Sequence, residues 1–188
     1  MSDPGFGVAR QPLHVRTINL EGFEREDGLF EIEARLTDVK ARDYLIATGL
    51  RRAGAPIHDR WVKVAVTAAF EIVAVDVRAE AVPYVGACET IAPAYDRLVG
   101  LNLVRGFRQA VRELFGEVRG CSHISELLLS LPTAAIQTLA TLRRDTDDRA
   151  GKPFQLDRCH ALDTQSETVR TYYPRWYRAG NGTDDQER

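Results

Sequence analysis

The stretch Phe30-Glu31-Ile32-Glu33-Ala34-Arg35-Leu36-Thr37 alternates apolar and polar residues without a break. Successive side chains of a strand point to opposite faces, so the pattern reads as a β-strand buried on one side and wet on the other, as in antiparallel sheets. Toward the N-terminus, Arg25-Glu26-Asp27-Gly28 supplies a turn whose Asp-Gly pair suits a hairpin, and His14 to Phe23 is rich in strand formers. In the other direction, Asp38 to Pro56 has weak patterning interrupted by Gly49 and Gly54, and reads as a long loop. Val62, Val64 and Val66 then alternate with Lys63, Ala65 and Thr67, and Ile72 to Val77 forms the return strand of a second hairpin. About four strands with no helical crossover between them predict an antiparallel sheet.

Beyond Pro83 the period changes. Ile91, Tyr95, Leu98 and Val99 precede Gly100, and Leu103, Phe107, Val111 and Leu114 precede Gly116 and Gly120, which predicts a pair of helices. Ile124, Leu127, Leu128, Leu131, Ala135, Ile136, Leu139 and Leu142 form a longer helical stripe. Pro132 within it is expected to kink the helix or to begin a new one. The predicted class is α+β, with helices covering one face of the sheet and Phe154 to Leu162 reaching back to it as an extended segment. The expected boundaries are a mobile arm at 1–12, a single domain at 13–178 and a disordered tail at 179–188. The charged run Arg143 to Arg149 reads as a solvated loop.

The chain of 188 residues is 44% hydrophobic, enough to bury a core without disulfide staples. Its 25 basic and 27 acidic residues nearly cancel, which argues against a general electrostatic grip on nucleic acid or an anionic membrane. No apolar run approaches the roughly 20 residues that span a bilayer, and the N-terminus lacks the pattern of a secretion signal. A cytoplasmic location is expected, and a protein partner stays open. There is no Gly-rich phosphate loop and no serine-nucleophile elbow.

Chemistry concentrates at Gly120-Cys121-Ser122-His123, where a thiol and an imidazole stand at the start of the long stripe. Cys121 and Ser122 fall at cap positions, where the positive end of the helix dipole favours a thiolate. Cys88, Cys121 and Cys159 are an odd number, so free thiols or metal ligands are expected rather than a disulfide framework. One reading is a nitrogen and sulfur site formed by Cys88, Cys121, His123 and either Cys159 or His160, suited to zinc or to an iron-sulfur cluster. Another is a cysteine-dependent enzyme in which Cys121 attacks an acyl or thioester compound, with His123 or His58 as base. A third is a non-catalytic binding subunit whose cysteines are inert core. His58-Asp59 suggests a base with its orienting carboxylate, although neighbours on a strand face apart. Glu26, Asp27 and Asp38 offer carboxylates, but a turn accounts for Asp27 and a strand end for Asp38. Glu126, one turn from His123, reads equally as a carboxylate that orients the imidazole and as an exposed helix-start acid favoured by the dipole. Tyr172, Tyr173, Trp176 and Tyr177 read as packing aromatics.

Several motifs in order carry a resemblance: Arg25-Glu26-Asp27-Gly28-Leu29, Leu36-Thr37-Asp38-Val39-Lys40, Pro56-Ile57-His58-Asp59, Leu98-Val99-Gly100, Gly120-Cys121-Ser122-His123 and Cys159-His160-Ala161-Leu162. From about Leu13 to Trp176 the chain resembles a bacterial domain-of-unknown-function family, number 2889. That likeness implies a fold and candidate positions and no activity. The chain also resembles, more weakly, the scaffold proteins of iron-sulfur cluster assembly, with Cys88 and Cys121 as counterparts of two scaffold cysteines. Those scaffolds carry a third cysteine in the loop between the first sheet strands, where this chain has none.

Overall fold

In the computed structural model, which describes residues 7–140, 142, 151–153 and 155–179, the alternating stretch is the second of six strands. The strands are β1 (His14–Glu24), β2 (Phe30–Lys40), β3 (Tyr44–Ile46), β4 (Gly49–Arg51), β5 (Pro56–Val66) and β6 (Ile72–Ala81). Four of them form one antiparallel sheet in the order β1-β2-β5-β6. Phe30, Ile32, Ala34 and Leu36 are buried and the residues between them are not, as the alternation requires. The fold is the α+β arrangement expected. The supposed long loop after Asp38 instead contains the small β3-β4 hairpin, with Leu45 opposite Leu50. Both of these leucines are exposed, so no buried face announced the hairpin in the sequence.

Helix α1 (Phe107–Phe115) and helix α2 (Ser122–Ala140) follow, and α2 lies across β1, β2 and β5 on the buried face. Ile124, Leu127, Leu128, Leu131, Ala135 and Leu139 face inward at helical spacing. Each such leucine, fully withdrawn from water, contributes about 1.5–3 kcal/mol. Pro132 sits inside one continuous helix. The segment Ala92–Leu98 is a 3-10 helix, and α1 starts later than its stripe. The Leu103 N–H donates to the Phe70 carbonyl at 2.9 Å, which holds that residue out of the helix. Among the described residues no helix is long and apolar enough to cross a membrane.

The close approach of α2 to β1 depends on Gly22. A β-carbon there would stand 1.8 Å from Thr138 Oγ1, and Thr138 is tied to the Ala134 carbonyl at 2.9 Å. Gly22→Ala is expected to destabilise the protein by about 1–3 kcal/mol, with partial recovery when Thr138→Ala is added. Urea denaturation of the two variants checks this; equal stability of Gly22→Ala and the parent would refute the contact.

The chain separates into two compact units, residues 1–142 and 143–188. In the second unit, helix α3 (Glu167–Tyr172) is capped by Ser166, whose hydroxyl accepts from the Val169 N–H at 3.2 Å. The Asp157 N–H donates to the Leu162 carbonyl, and the Asp157 carboxylate accepts from the Thr164 N–H, both at 2.8 Å. Those bonds curl 157–164 into turns and a short 3-10 helix in place of the expected extended segment. Residues 1–6 of the expected arm, the Arg143 to Arg149 run and the tail from 180 lie outside the described residues.

Candidate functional site

The inward row of β2 does not stop at Leu36. Two residues on, Asp38 is 2% exposed, so the apolar face of the sheet ends in a buried carboxylate. Register places Arg16 of β1 on one side of it and His58 of β5 on the other. Arg16 grips Asp38 with both ends of its fork, Nε to Oδ1 at 2.8 Å and Nη2 to Oδ2 at 2.9 Å. His14 Nε2 lies 2.7 Å from Oδ1, and His58 Nδ1 lies 3.0 Å from Oδ2.

Helix α2 closes the cluster from above. His123, in its first turn, brings Nε2 to 3.4 Å from the same Oδ2, and its ring lies 3.7 Å from that of His58, centroid to centroid. Glu126, one turn further, accepts from Arg16 Nη1 at 2.5 Å. It therefore anchors the arginine and not, as its spacing suggested, the imidazole.

Cys121 immediately precedes α2. The Ser125 N–H donates to the Cys121 carbonyl at 2.9 Å, and the Cys121 N–H donates to the buried Tyr95 hydroxyl at 2.8 Å. Gly120 makes this entry path open to the chain, because a β-carbon there would stand 2.5 Å from the Phe115 carbonyl oxygen. The Cys121 sulfur lies 3.8 Å from His123 Nδ1. Cys121 thus occupies the non-helical turn that lets residues two apart face each other.

Electrostatics follow from these contacts. Burial opposes ionisation of Asp38, but the Arg16, His14 and His58 hydrogen bonds outweigh it and hold the carboxyl far below its usual range. Burial, only partly offset by Asp38, lowers His58 below an ordinary imidazole and keeps it neutral near pH 7. Burial also opposes the Cys121 thiolate, yet His123, the N–H groups at the helix start and the Arg60 guanidinium outweigh it, and the thiol is held below its ordinary value.

Of the residues singled out in the sequence, the structure brings His58, His123 and Cys121 together. Asp59 faces the other side of the sheet and receives the Arg35 fork at 2.9 and 2.7 Å, so it does not orient His58. Cys88 is half-buried and lines a separate cavity with Arg60 and Ile124. Cys159 and His160 are exposed on the second unit. Glu26 and Asp27 belong to the first hairpin turn, where Asp27 pairs with Arg25 at 2.7 Å.

Asp38 itself was misread as a strand end. Strand β2 runs on to Lys40, and extending the alternation by one step from Leu36 would have pointed the carboxylate inward. One atom each from Asp38, His58 and His123 lie within 4.8 Å of one another, a geometry able to hold a metal ion. Ligands about 2.0–2.2 Å from a tetrahedral ion stand roughly 3.3–3.6 Å apart. The 3.4 Å separation of His123 Nε2 from Asp38 matches that edge, and the 3.0 Å separation of His58 Nδ1 is slightly short of it.

The protein is an α+β domain that gathers two imidazoles, a carboxylate and a thiol where the open end of its sheet meets a helix start. It belongs to the family described as protein of unknown function (DUF2889), whose profile matches residues 14–137, the family its motifs resembled. That span includes Asp38, His58, Cys88, Cys121 and His123, and leaves out Cys159 and His160. No curated protein and no solved structure matches the chain.

Proposed function

We propose that this is a metal-binding protein in which Asp38, His58 and His123 hold one zinc or mononuclear iron ion, with the Cys121 sulfur, at the other ring nitrogen of His123, as the group that meets a substrate. The observation that carries this reading is the mutual approach of the three donor atoms within 4.8 Å. Two imidazoles and a carboxylate suit iron(II) and also an open zinc site. A cluster, which draws on several thiolates, is less well served by one sulfur. The free thiols fit the reducing cytoplasm.

The imidazoles and the carboxylate bind in their deprotonated forms, so affinity for the ion should weaken as pH falls. Purified without tags or chelators, the protein is expected to carry about one equivalent of zinc or iron by elemental analysis. Changing His58 or His123 to Ala should remove it. Less than about a tenth of an equivalent, unchanged by anaerobic handling or by added metal, would end this reading.

A second reading rests on a different observation, the line Cys121 Sγ, His123 Nδ1, His123 Nε2, Asp38, with steps of 3.8 and 3.4 Å. Sulfur, imidazole and carboxylate in that order form a nucleophile, a base and its orienting group. Attack of Cys121 on an acyl or thioester carbon would be its chemistry. Rapid iodoacetamide labelling of Cys121, indifferent to chelator, favours this reading over the metal.

A further inference from the structure

We propose that the cavity lined by Arg60 is a binding site for a small organic anion, its carboxylate seated on the Arg60 guanidinium and its compact apolar body packed against Val77, Ala79, Ile91, Ala92 and Ile124. This cavity is separate from the Asp38, His58 and His123 group. Arg60 sits on the inward row of β5, paired in register with Leu36 on one side and Ala79 on the other. It is 1% exposed, and its Nε and Nη1 are buried without a hydrogen-bond partner among the described residues.

An ionised guanidinium with idle donors is the costliest group a core can hold, since both its charge and its N–H groups have left water. Elsewhere in this sheet such charges are matched. Asp38 meets Arg16, Asp59 meets Arg35, and Lys63 meets Glu33. Among the described residues Arg60 has no such carboxylate on its Nε or Nη1, and it lines a cavity of about 300 Å³ between the end of β6, the segment from Cys88 to Ala92 and the start of α2.

The lining indicates the ligand. Arginine binds carboxylates through two parallel N–H bonds, which suits a planar acid head. The remaining wall is mostly small and branched apolar side chains, with Cys88 at its side. A volume at the lower end for ligand pockets fits an organic acid of metabolite size and is too small for a nucleotide or a folded peptide. Two carboxylates also border the cavity. Glu89 accepts the Gly86 N–H at 2.9 Å, and exposed Glu80 lies in the field of Arg35 and Arg78 on the outer face. Arg78 is paired with Asp76 at 2.7 Å. Glu80 is the internal competitor for Arg60, and the test includes it.

The full-length protein is titrated with butyrate, hexanoate and benzoate, with the matching neutral amides, and with inorganic phosphate, following its melting temperature. At least one acid is expected to raise the melting point saturably while its amide does not. Arg60→Met should abolish that response and raise the melting point of the ligand-free protein, because it replaces an unpaired charge with an apolar chain of similar length. Glu80→Gln should leave the response intact.

A second readout uses only the parent protein. At ten times its dissociation constant the acid should slow alkylation of Cys88 about tenfold and leave exposed Cys159 unchanged. Saturable binding of phosphate alone, without protection of Cys88 by any organic acid, overturns the apolar part of the proposal. No saturable response to any probe overturns all of it. So does a fall in melting point shared by Arg60→Met and Glu80→Gln, which would mean that Glu80 is the partner of Arg60.

Discussion

Asp38→Asn is expected to destabilise the metal-free protein by about 2–4 kcal/mol, the largest stability effect of any polar substitution proposed for this chain. The amide keeps the volume of the carboxylate but not its charge. It also turns an N–H₂ group toward Arg16 or the histidines, which present donors of their own. Breaking a fully buried pair costs about 3–5 kcal/mol; Arg16 and His14 are about one-third exposed, so water takes up part of the loss.

The pH dependence has a definite sign. The folded carboxyl lies below its unfolded value, so Asp38 contributes stability above about pH 4, and that contribution fades as pH falls toward the folded value. The deficit of Asp38→Asn relative to the parent should therefore be full at pH 7 and shrink below about pH 4. Urea denaturation in chelator across that range measures it. Glu126→Gln, which cuts a surface contact of the same arginine, should cost less than about 1 kcal/mol and serves as control. A deficit for Asp38→Asn no larger than the control's would remove Asp38 as the centre of the cluster.

This cluster shows where reading the sequence reached its limit. Periodicity of two placed the sheet, and periodicity of three and four placed α2, because both patterns record which side of an element meets the core. The same parity, carried past the last apolar residue, leads from Leu36 to Asp38 on β2 and from Val62 to Arg60 and His58 on β5. Polar residues interrupt a hydrophobic count, so the count ended early and the inward row was cut short. Strand neighbours were a second obstacle. That Asp38 faces His58 and Arg16 follows from the order β1-β2-β5-β6 and its register, and neither is written in any local stretch.

The Cys121 and His123 pair was legible because a helix start is a local event with a local signature. Its partner was not, since the group that meets His123 comes from a strand 85 positions earlier in the numbering. The small β3-β4 hairpin escaped for a third reason: its leucines are exposed, so alternation carried no information about burial.

One end of the buried face thus holds nearly all of its polar groups, while the other end is closed by Phe30, Ile32, Val64, Val66 and the later turns of α2. A sheet face packed to native density under a single helix would have no need of Asp38, His58 and Arg60 in its row. Apolar residues there would fold as well or better, since desolvating these groups opposes folding.

Cys121 gives the sharpest separation of the two chemistries. In metal-free protein its alkylation by iodoacetamide should rise with pH to a midpoint below that of an ordinary cysteine, since His123, the helix-start N–H groups and Arg60 all favour the thiolate. His123→Ala removes the imidazole and should move the midpoint upward, slowing the reaction at pH 7. Zinc bound by Asp38, His58 and His123 should lower the midpoint of the parent further, because a divalent ion beside the imidazole favours the thiolate while the sulfur, at His123 Nδ1, stays free to react. His58→Ala should lose this response to zinc while keeping the low midpoint of the metal-free protein, for His58 touches Asp38 and the His123 ring but lies outside the sulfur-imidazole step. Protein that binds zinc and thereby loses alkylation of Cys121 would place the sulfur on the ion and overturn the assignment to Asp38, His58 and His123. Protein that binds no metal and alkylates with a low midpoint would turn the assignment to the nucleophile, with Asp38 holding His123 as the base.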